Sequence, residues 1–388
     1  MITVKVYAVA YYLNTYKNMM KKLALLITVV MISVLGFSQS KSNWGQHRSD
    51  SGLSGYYPGN LPASVKIHWI FETGDQIKAP PVVKYDKIAV GNMSGRFFCV
   101  NMKGEEVWSD STSNGFEGAA LIHKQKAYAG NLSGDFYAYD INTGKKIWTY
   151  KAENQISGAP TIFSYKNEIR LAVGSYDFYL HCINAETGEN IWKYELDNYL
   201  NGTPALENNR IVVGGCDGFL HFVSPVSGRL IEKFELAGYI AGSPVLRGEL
   251  AAVGDYDGGV NCVDIEKKQV LWSFDNPEND LPIISSPALH DNKLIITSRD
   301  KHVYCIDIRT GDLLWKRNTG HKIDASALIA DNGVLVVNMR GDMYFLDIET
   351  GEEIWKYQLG SPIAGNPALY KGKIIVTAMD GNIYCLGK

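Results

Sequence analysis

The chain lacks the charge that nucleic acid selects. Its 388 residues carry 38 Lys and Arg against 41 Asp and Glu, a formal charge of −3. The first 38 residues hold four Lys and no acid, so the remainder has 34 basic and 41 acidic groups, a difference of −7. No Lys/Arg-rich run follows residue 39, and phosphate binding requires concentrated positive charge. Nucleic acid is therefore not expected as a partner. The longest apolar run, Leu23 to Leu35, is too short to span a bilayer, so no membrane span is expected once the leader is removed. There is no G-x-S-x-G elbow, no phosphate loop and no H-E-x-x-H pair, which removes the commonest hydrolase and nucleotide-binding signatures. Helical periodicity is sparse, while Gly (38) and Tyr (23) are abundant, as in chains of short strands joined by tight turns.

Residues 1–38 read as a signal-peptide region. Lys21 and Lys22 precede the apolar Leu23–Leu35, and Gly36 and Ser38 stand at −3 and −1 before Gln39. The first 18 residues lie awkwardly upstream, so the expected start is Met19 or Met20. No Cys follows the cleavage point, so a lipoprotein is not expected. The expected product is a monomer, periplasmic or secreted, with a lead-in at 39–64 and a folded body at 65–388.

That body consists of near-copies of one segment. Their anchors are Trp69, Trp108, Trp148, Trp192, Glu232, Trp272, Trp315 and Trp355, spaced by 39, 40, 44, 40, 40, 43 and 40 residues. Such a period means stacked supersecondary units, none able to bury its apolar face alone. Each unit reads as four antiparallel strands. In the fourth, Gly202–Leu206 opens a strand and Arg210–Gly214 is the second; the Asp217-Gly218 turn leads to Phe219–Val223, and Leu230–Phe234 closes. The last unit stops after three strands at Cys385, and Val65–Phe71, which carries Trp69, has no first three strands of its own. Joining the two leaves no open edge and predicts an all-β, eight-bladed β-propeller of four-stranded antiparallel blades, closed by an N-terminal strand completing the last blade.

Cys99, Cys182, Cys262, Cys305 and Cys385 share one register position, filled elsewhere by Ala138, Phe222 and Phe345. A site accepting Cys, Ala or Phe is a core site, so packing is expected there rather than disulfides.

The run Ala138-Tyr-Asp140-Ile-Asn-Thr143-Gly144-Lys-Lys-Ile-Trp148, with similar runs ending at Trp315 and Trp355, resembles the PQQ-type (quinoprotein alcohol dehydrogenase-like) propeller repeat. The I-x-G-x-P element at Ile156–Pro160 and Ile240–Pro244 matches as well, and Trp44–Arg48 resembles the lead-in of exported members. The resemblance implies that Trp69, Trp108, Trp148, Trp192, Trp272, Trp315 and Trp355 dock one blade on the next. A large flat ring with one N–H suits that role. Glu232 breaks the series and should mark the weaker junction.

Two branches of the family are relevant. One holds dehydrogenases that bind pyrroloquinoline quinone (PQQ) and calcium at the axis. The other, BamB-like, holds non-catalytic outer-membrane assembly factors. The dehydrogenase branch implies long insertions, adjacent cysteines and a Trp-Asp element, and this chain has none of these. Arg299, Arg340, Asp255 and Asp257 are scattered candidates for a quinone and its cation, with Asp255–Gly258 reading first as a hairpin turn. His181 and His221 share a register in adjacent blades and read as half-buried or channel-lining rather than as a metal pair. Tyr56, Tyr57, Tyr176 and Tyr256 read as ordinary strand or loop aromatics before ligand contacts. The connections carrying Asn279, Asp280, His321 and Asp324 are the expected partner loops.

The expectation is a non-catalytic scaffold for envelope protein partners, without a cofactor; the alternative is a small PQQ- and calcium-dependent dehydrogenase of alcohols or sugars. Intact mass of the exported product should place its first residue at Gln39. A product retaining Lys21 and Lys22 would contradict the leader.

Overall fold

A computed structural model describes residues 44–236, 238–275 and 281–388; the leader lies outside them, as do Asn279 and Asp280. Eight antiparallel sheets follow one another in the chain as blades 1 to 8, each with strands a to d counted outward from the axis. Blade 1 runs through Val82–Lys84, Lys87–Gly91, Arg96–Asn101 and Glu106–Ser111. Blade 8 takes Ala368–Tyr370, Lys373–Thr377 and Asn382–Gly387 from the C-terminus and Lys66–Glu72 from the N-terminus. The expected seam is thus formed, with Trp69 opposite Cys385. The a–b and c–d turns lie on one face, the lower, and the b–c and d–a connections on the other, the upper.

The repeat's residues explain the closure. In the c–d pairs the register slips by one residue beside the anchor, for example between Cys99 and Val100 opposite Trp108. Such a bulge bends strand d and re-aims its side chain. Each indole then lies over the glycine of the next blade's c–d turn. A β-carbon added to Gly104, Gly144, Gly188, Gly228, Gly311 or Gly351 would come within 2.6 to 2.8 Å of the preceding blade's ring. These glycines have φ between 68 and 83°, so the position demands both a left-handed backbone and no side chain. The indole N–H groups donate to carbonyls at the same turn: Trp69 to Met102, Trp108 to Ile141, Trp148 to Ala185, Trp192 to Pro225, Trp272 to Ile308 and Trp315 to Ile348, at 2.8 to 3.2 Å. Trp355 has no such turn in blade 8 and donates instead to Pro62 O of the lead-in, at 2.9 Å.

Near the axis the I-x-G-x-P element does a different job. Its first residue, Ile156 or Ile240 for example, packs on the strand-b glycine of the preceding blade, Gly130 or Gly214. Its glycine lets neighbouring backbones touch: a β-carbon on Gly118, Gly158, Gly202 or Gly242 would lie 2.5 to 2.7 Å from the next blade's carbonyl. Its variable residue supplies a hydroxyl. Ala159 N–H donates to Thr203 Oγ1 (3.0 Å), Thr203 N–H to Ser243 Oγ (2.8 Å), Ser243 N–H to Ser286 Oγ (3.0 Å), Ser286 N–H to Ser326 Oγ (2.8 Å) and Ser326 N–H to Asn366 Oδ1 (2.6 Å). This chain of bonds joins blades 3 to 8 and ends where Pro80, Ala119 and Ala159 carry no acceptor.

Most of the apolar core lies between blades rather than within them; one cluster joins Phe97 and Trp108 of blade 1 to Phe116 and Tyr139 of blade 2. All six cysteines are free. Burial pushes the thiols of Cys99, Cys182, Cys262 and Cys305 up to about 12 and that of Cys385 to about 11, as expected of packing groups.

The lead-in departs from expectation. Residues 44–61 are laid into the propeller around the axis on its lower face. Carbonyls of Trp44, Gly45, Ser51, Gly52, Ser54 and Gly55 accept N–H bonds from Val83, Ile122, Leu206, Leu246, Leu289 and Ile329, one register position in six blades. Tyr56–Tyr57 adds a parallel fifth strand to the inner edge of blade 7, which is therefore not four-stranded. The inner strands would otherwise present unpaired N–H groups to the axis, and the lead-in covers them.

At the junction of blades 4 and 5 the Trp–Gly pair becomes an ion pair. Glu232 replaces the indole, Lys268 replaces the glycine at φ 55°, and they meet at 2.8 Å. The pair is partly exposed, so solvent screens it and it docks the blades more weakly than a buried indole would. Combining Glu232→Trp with Lys268→Gly should raise stability by roughly 1–2 kcal/mol in urea unfolding, with less gain from either alone. A double variant no more stable than the parent would contradict this account of docking.

Candidate functional site

The upper face narrows to a polar cavity on the axis, about 170 Å3 in volume. Its wall is the ring of I-x-G-x-P elements, including Glu117, Ser157, Asn201 and Asp324. His47 of the lead-in also lines it. The charged wall residues are already paired: Glu117 with Lys78 at 2.7 Å, and Asp324 with Arg299 at 2.8 Å. Ser157 Oγ donates to Asn201 Oδ1 at 2.8 Å.

This lining does not fit a flat quinone bearing three carboxylates. The volume is well below the roughly 300 Å3 at which cofactor pockets begin. Lys78 and Arg299 are neutralised by their own acids, and no Phe, Tyr or Trp borders the cavity to stack on a ring. Among the described residues no group of three or more His, Cys, Asp or Glu side chains could hold a metal ion.

The other candidates resolve individually. His181 and His221 are fully buried inside their blades, neither half-buried nor lining the channel. Each ring is held at both nitrogens: His181 by Tyr150 OH (2.9 Å) and Asp177 (3.0 Å), His221 by Tyr194 OH (2.9 Å) and Asp217 (2.9 Å). Burial works to raise the Asp177 and Asp217 carboxyls, but the histidine hydrogen bonds outweigh it and hold both below the usual carboxylate range. These are structural triads with no nitrogen left for a metal. Asp255 Oδ1 accepts the N–H groups of Asp257 and Gly259, the turn role expected of it. Arg340 is exposed and meets His321 Nε2 at 3.1 Å. His321 and Asp324 both belong to the blade 6–7 connection on the upper face, but Asp324 is engaged with Arg299. Tyr57 is core; Tyr56 stacks on His290 and donates to Asp331.

Two features of the site have weak signals in the sequence. The first is a crescent of aromatics on the upper face of blades 3 to 5, exposed except for the half-buried Tyr176. Tyr176 and Tyr199 stack with centroids 4.9 Å apart, and Phe178 packs on Tyr199 at 5.2 Å. Tyr256 N–H bonds Tyr239 O at 2.8 Å, bringing the next pair together. Exposures are 39% for Phe178, 42% for Tyr199, 45% for Tyr256 and 61% for Tyr239. The second feature is the pair His47–Arg48. Arg48 is buried, and Asp50 is the acid that acts on its charge. Its guanidinium donates to the carbonyls of Leu53 (3.1 Å), Ala327 (3.3 Å) and Pro287 (2.7 Å), tying the lead-in to blades 6 and 7.

The ring of eight blades, with tryptophans docked on glycine turns, defines the chain as a propeller of the PQQ-repeat class. It belongs to the family described as outer membrane protein assembly factor BamB, whose model matches residues 62–164, 136–231, 177–320 and 299–387. Among solved structures it resembles BamB from Moraxella catarrhalis, with 16% identity, coverage of 84% of this chain and all of that one, and a TM-score of 0.72. It also resembles a europium-containing methanol dehydrogenase, with 12% identity, coverage of 92% and 100%, and a TM-score of 0.74. A quinohemoprotein alcohol dehydrogenase from Comamonas testosteroni is similar at 12% identity, with coverage of 89% and 80% and a TM-score of 0.72. At these identities the likeness shows the fold alone. No curated protein matches the chain.

Burial, and then the Arg48 charge, lower the His47 pKa to about 3. The unfolded imidazole titrates near 6.5, so the unfolded chain binds more protons between these values and stability falls as pH drops through that window. From pH 6.5 to 4.5 the parent should lose about 2–3 kcal/mol to this group. A His47→Gln variant followed by urea unfolding should lose that much less; an identical pH slope would contradict it.

Proposed function

We propose that this chain is a non-catalytic, exported propeller that organises envelope proteins by docking them on its upper face. The observation that carries this is the aromatic crescent of Tyr176, Phe178, Tyr199, Tyr239 and Tyr256. Single exposed apolar residues need no explanation, but two groups of aromatics on the upper-face connections of neighbouring blades do. Tyrosines anchor protein interfaces because they bury a large ring at low entropic cost and keep a polar tip. His321 and Arg340 on the same face supply polar contacts, while Asp324 is held by Arg299, and Asn279 and Asp280 belong to the connection between blades 5 and 6. Family membership supports this reading, as does the poor fit of the axial cavity to a quinone. Its setting would be the periplasm or the cell exterior, with no cofactor and a monomeric body.

Two measurements test the proposal. Pyrroloquinoline quinone with calcium should leave thermal unfolding of residues 39–388 unchanged, whereas a specific ligand at 100 times its Kd would add about 2.7 kcal/mol. Such a gain would overturn the scaffold reading. In capture from envelope extracts, Tyr199→Ser with Tyr239→Ser should weaken partner retention at least tenfold without lowering the Tm. Full retention would place docking elsewhere.

A further inference from the structure

The side chains that tie blades 3 to 8 at the axis have donors left over. Thr203, Ser243, Ser286 and Ser326 each accept one backbone N–H, and none of their hydroxyls donates to an acceptor among the described residues. Asn366 accepts the Ser326 N–H through Oδ1, while its Nδ2 group donates to none of them. All five residues line the axial cavity. A hydroxyl can still give one O–H and an amide two N–H groups, so donors from five successive blades surround one axis.

The lead-in adds two groups. The His47 imidazole is only 9% exposed, lines the same cavity and makes no hydrogen bond among the described residues. Next to it, the Arg48 guanidinium is buried and forms no ion pair with them. It is fixed on Pro287 O and Ala327 O, one residue beyond Ser286 and Ser326. Burial lowers its pKa to about 9, with Asp50 acting against that, so it stays charged at neutral pH. A buried cation is costly without a counter-charge. The cavity's carboxylates do not supply one, because Glu117 is held by Lys78 and Asp324 by Arg299. Convergent donors beside a fixed positive charge match a negatively charged acceptor. The volume of about 170 Å3 equals that of roughly five waters at about 30 Å3 each, which restricts the acceptor to a few heavy atoms.

We infer that the axial cavity binds a small monovalent anion, seated among the hydroxyls of Thr203, Ser243, Ser286 and Ser326, with Asn366 and His47 beside it. Chloride, nitrate and formate share the required chemistry. The site is separate from the aromatic crescent and does not depend on docking there.

Thermal unfolding of the full chain at constant ionic strength, with gluconate replaced stepwise by chloride, nitrate or formate, distinguishes the three. At least one should raise the Tm along a saturable curve, and the one with the lowest midpoint is the preferred anion. Ser243→Asp locates the site. Asn366 shows that this position holds a side chain of that size and still accepts the neighbouring N–H. The new carboxylate supplies the negative charge itself, so it should raise the Tm in gluconate and remove the anion-dependent gain. Ser286→Ala, which deletes one donor, should raise the midpoint about tenfold. The inference is overturned if no anion gives a saturable gain. It is equally overturned if both variants gain as the parent does, which would mark a general salt effect.

Discussion

The structure depends on the indole of one blade lying over the bare turn of the next. A four-stranded blade cannot bury both faces alone, so each must present a flat apolar surface to its neighbour at a fixed angle. The bulge beside the anchor turns the ring outward, the Thr-Gly turn leaves room for it, and one N–H fixes its depth. The same contact repeated around the ring sets the angle between blades. At the axis, glycines permit the backbones to meet, and a chain of side-chain acceptors ties blades 3 to 8. Where the indole is missing, the glycine is missing too, and Glu232 with Lys268 shows that the two positions change as one unit.

Closure places the lead-in at the centre of the fold. Trp355 finds its carbonyl on Pro62, the inner strands of six blades find theirs on residues 44–55, and Arg48 crosses to blades 6 and 7. One segment thus ties six blades together and walls the axial cavity through His47. A narrow polar cavity with paired charges is a poor seat for a large planar ligand. For docking, that moves attention from the axis to the faces, where the exposed rings lie.

The repeat period, the blade count, the seam and the docking tryptophans were legible in the sequence because each recurs and can be aligned with its copies. Aperiodic features were not. The lead-in has no copy to align with, and its path is determined only once the ring exists. His181 and His221 aligned correctly, but spacing alone does not say whether a strand-c side chain meets the channel or the blade interior; Asp177 and Tyr150 decide that. Tyr199 and Tyr239 occupy connections rather than strands, and their exposure follows from the loop path.

Amide hydrogen exchange of the chain, alone and with its captured envelope partner, tests the account most directly. Bound partner should slow exchange in the upper-face connections around Tyr176–Phe178, Tyr199, Tyr239 and Tyr256, leaving the lower-face turns unchanged. Slowing confined to the lower face, or to the outer edges of the blades, would contradict it.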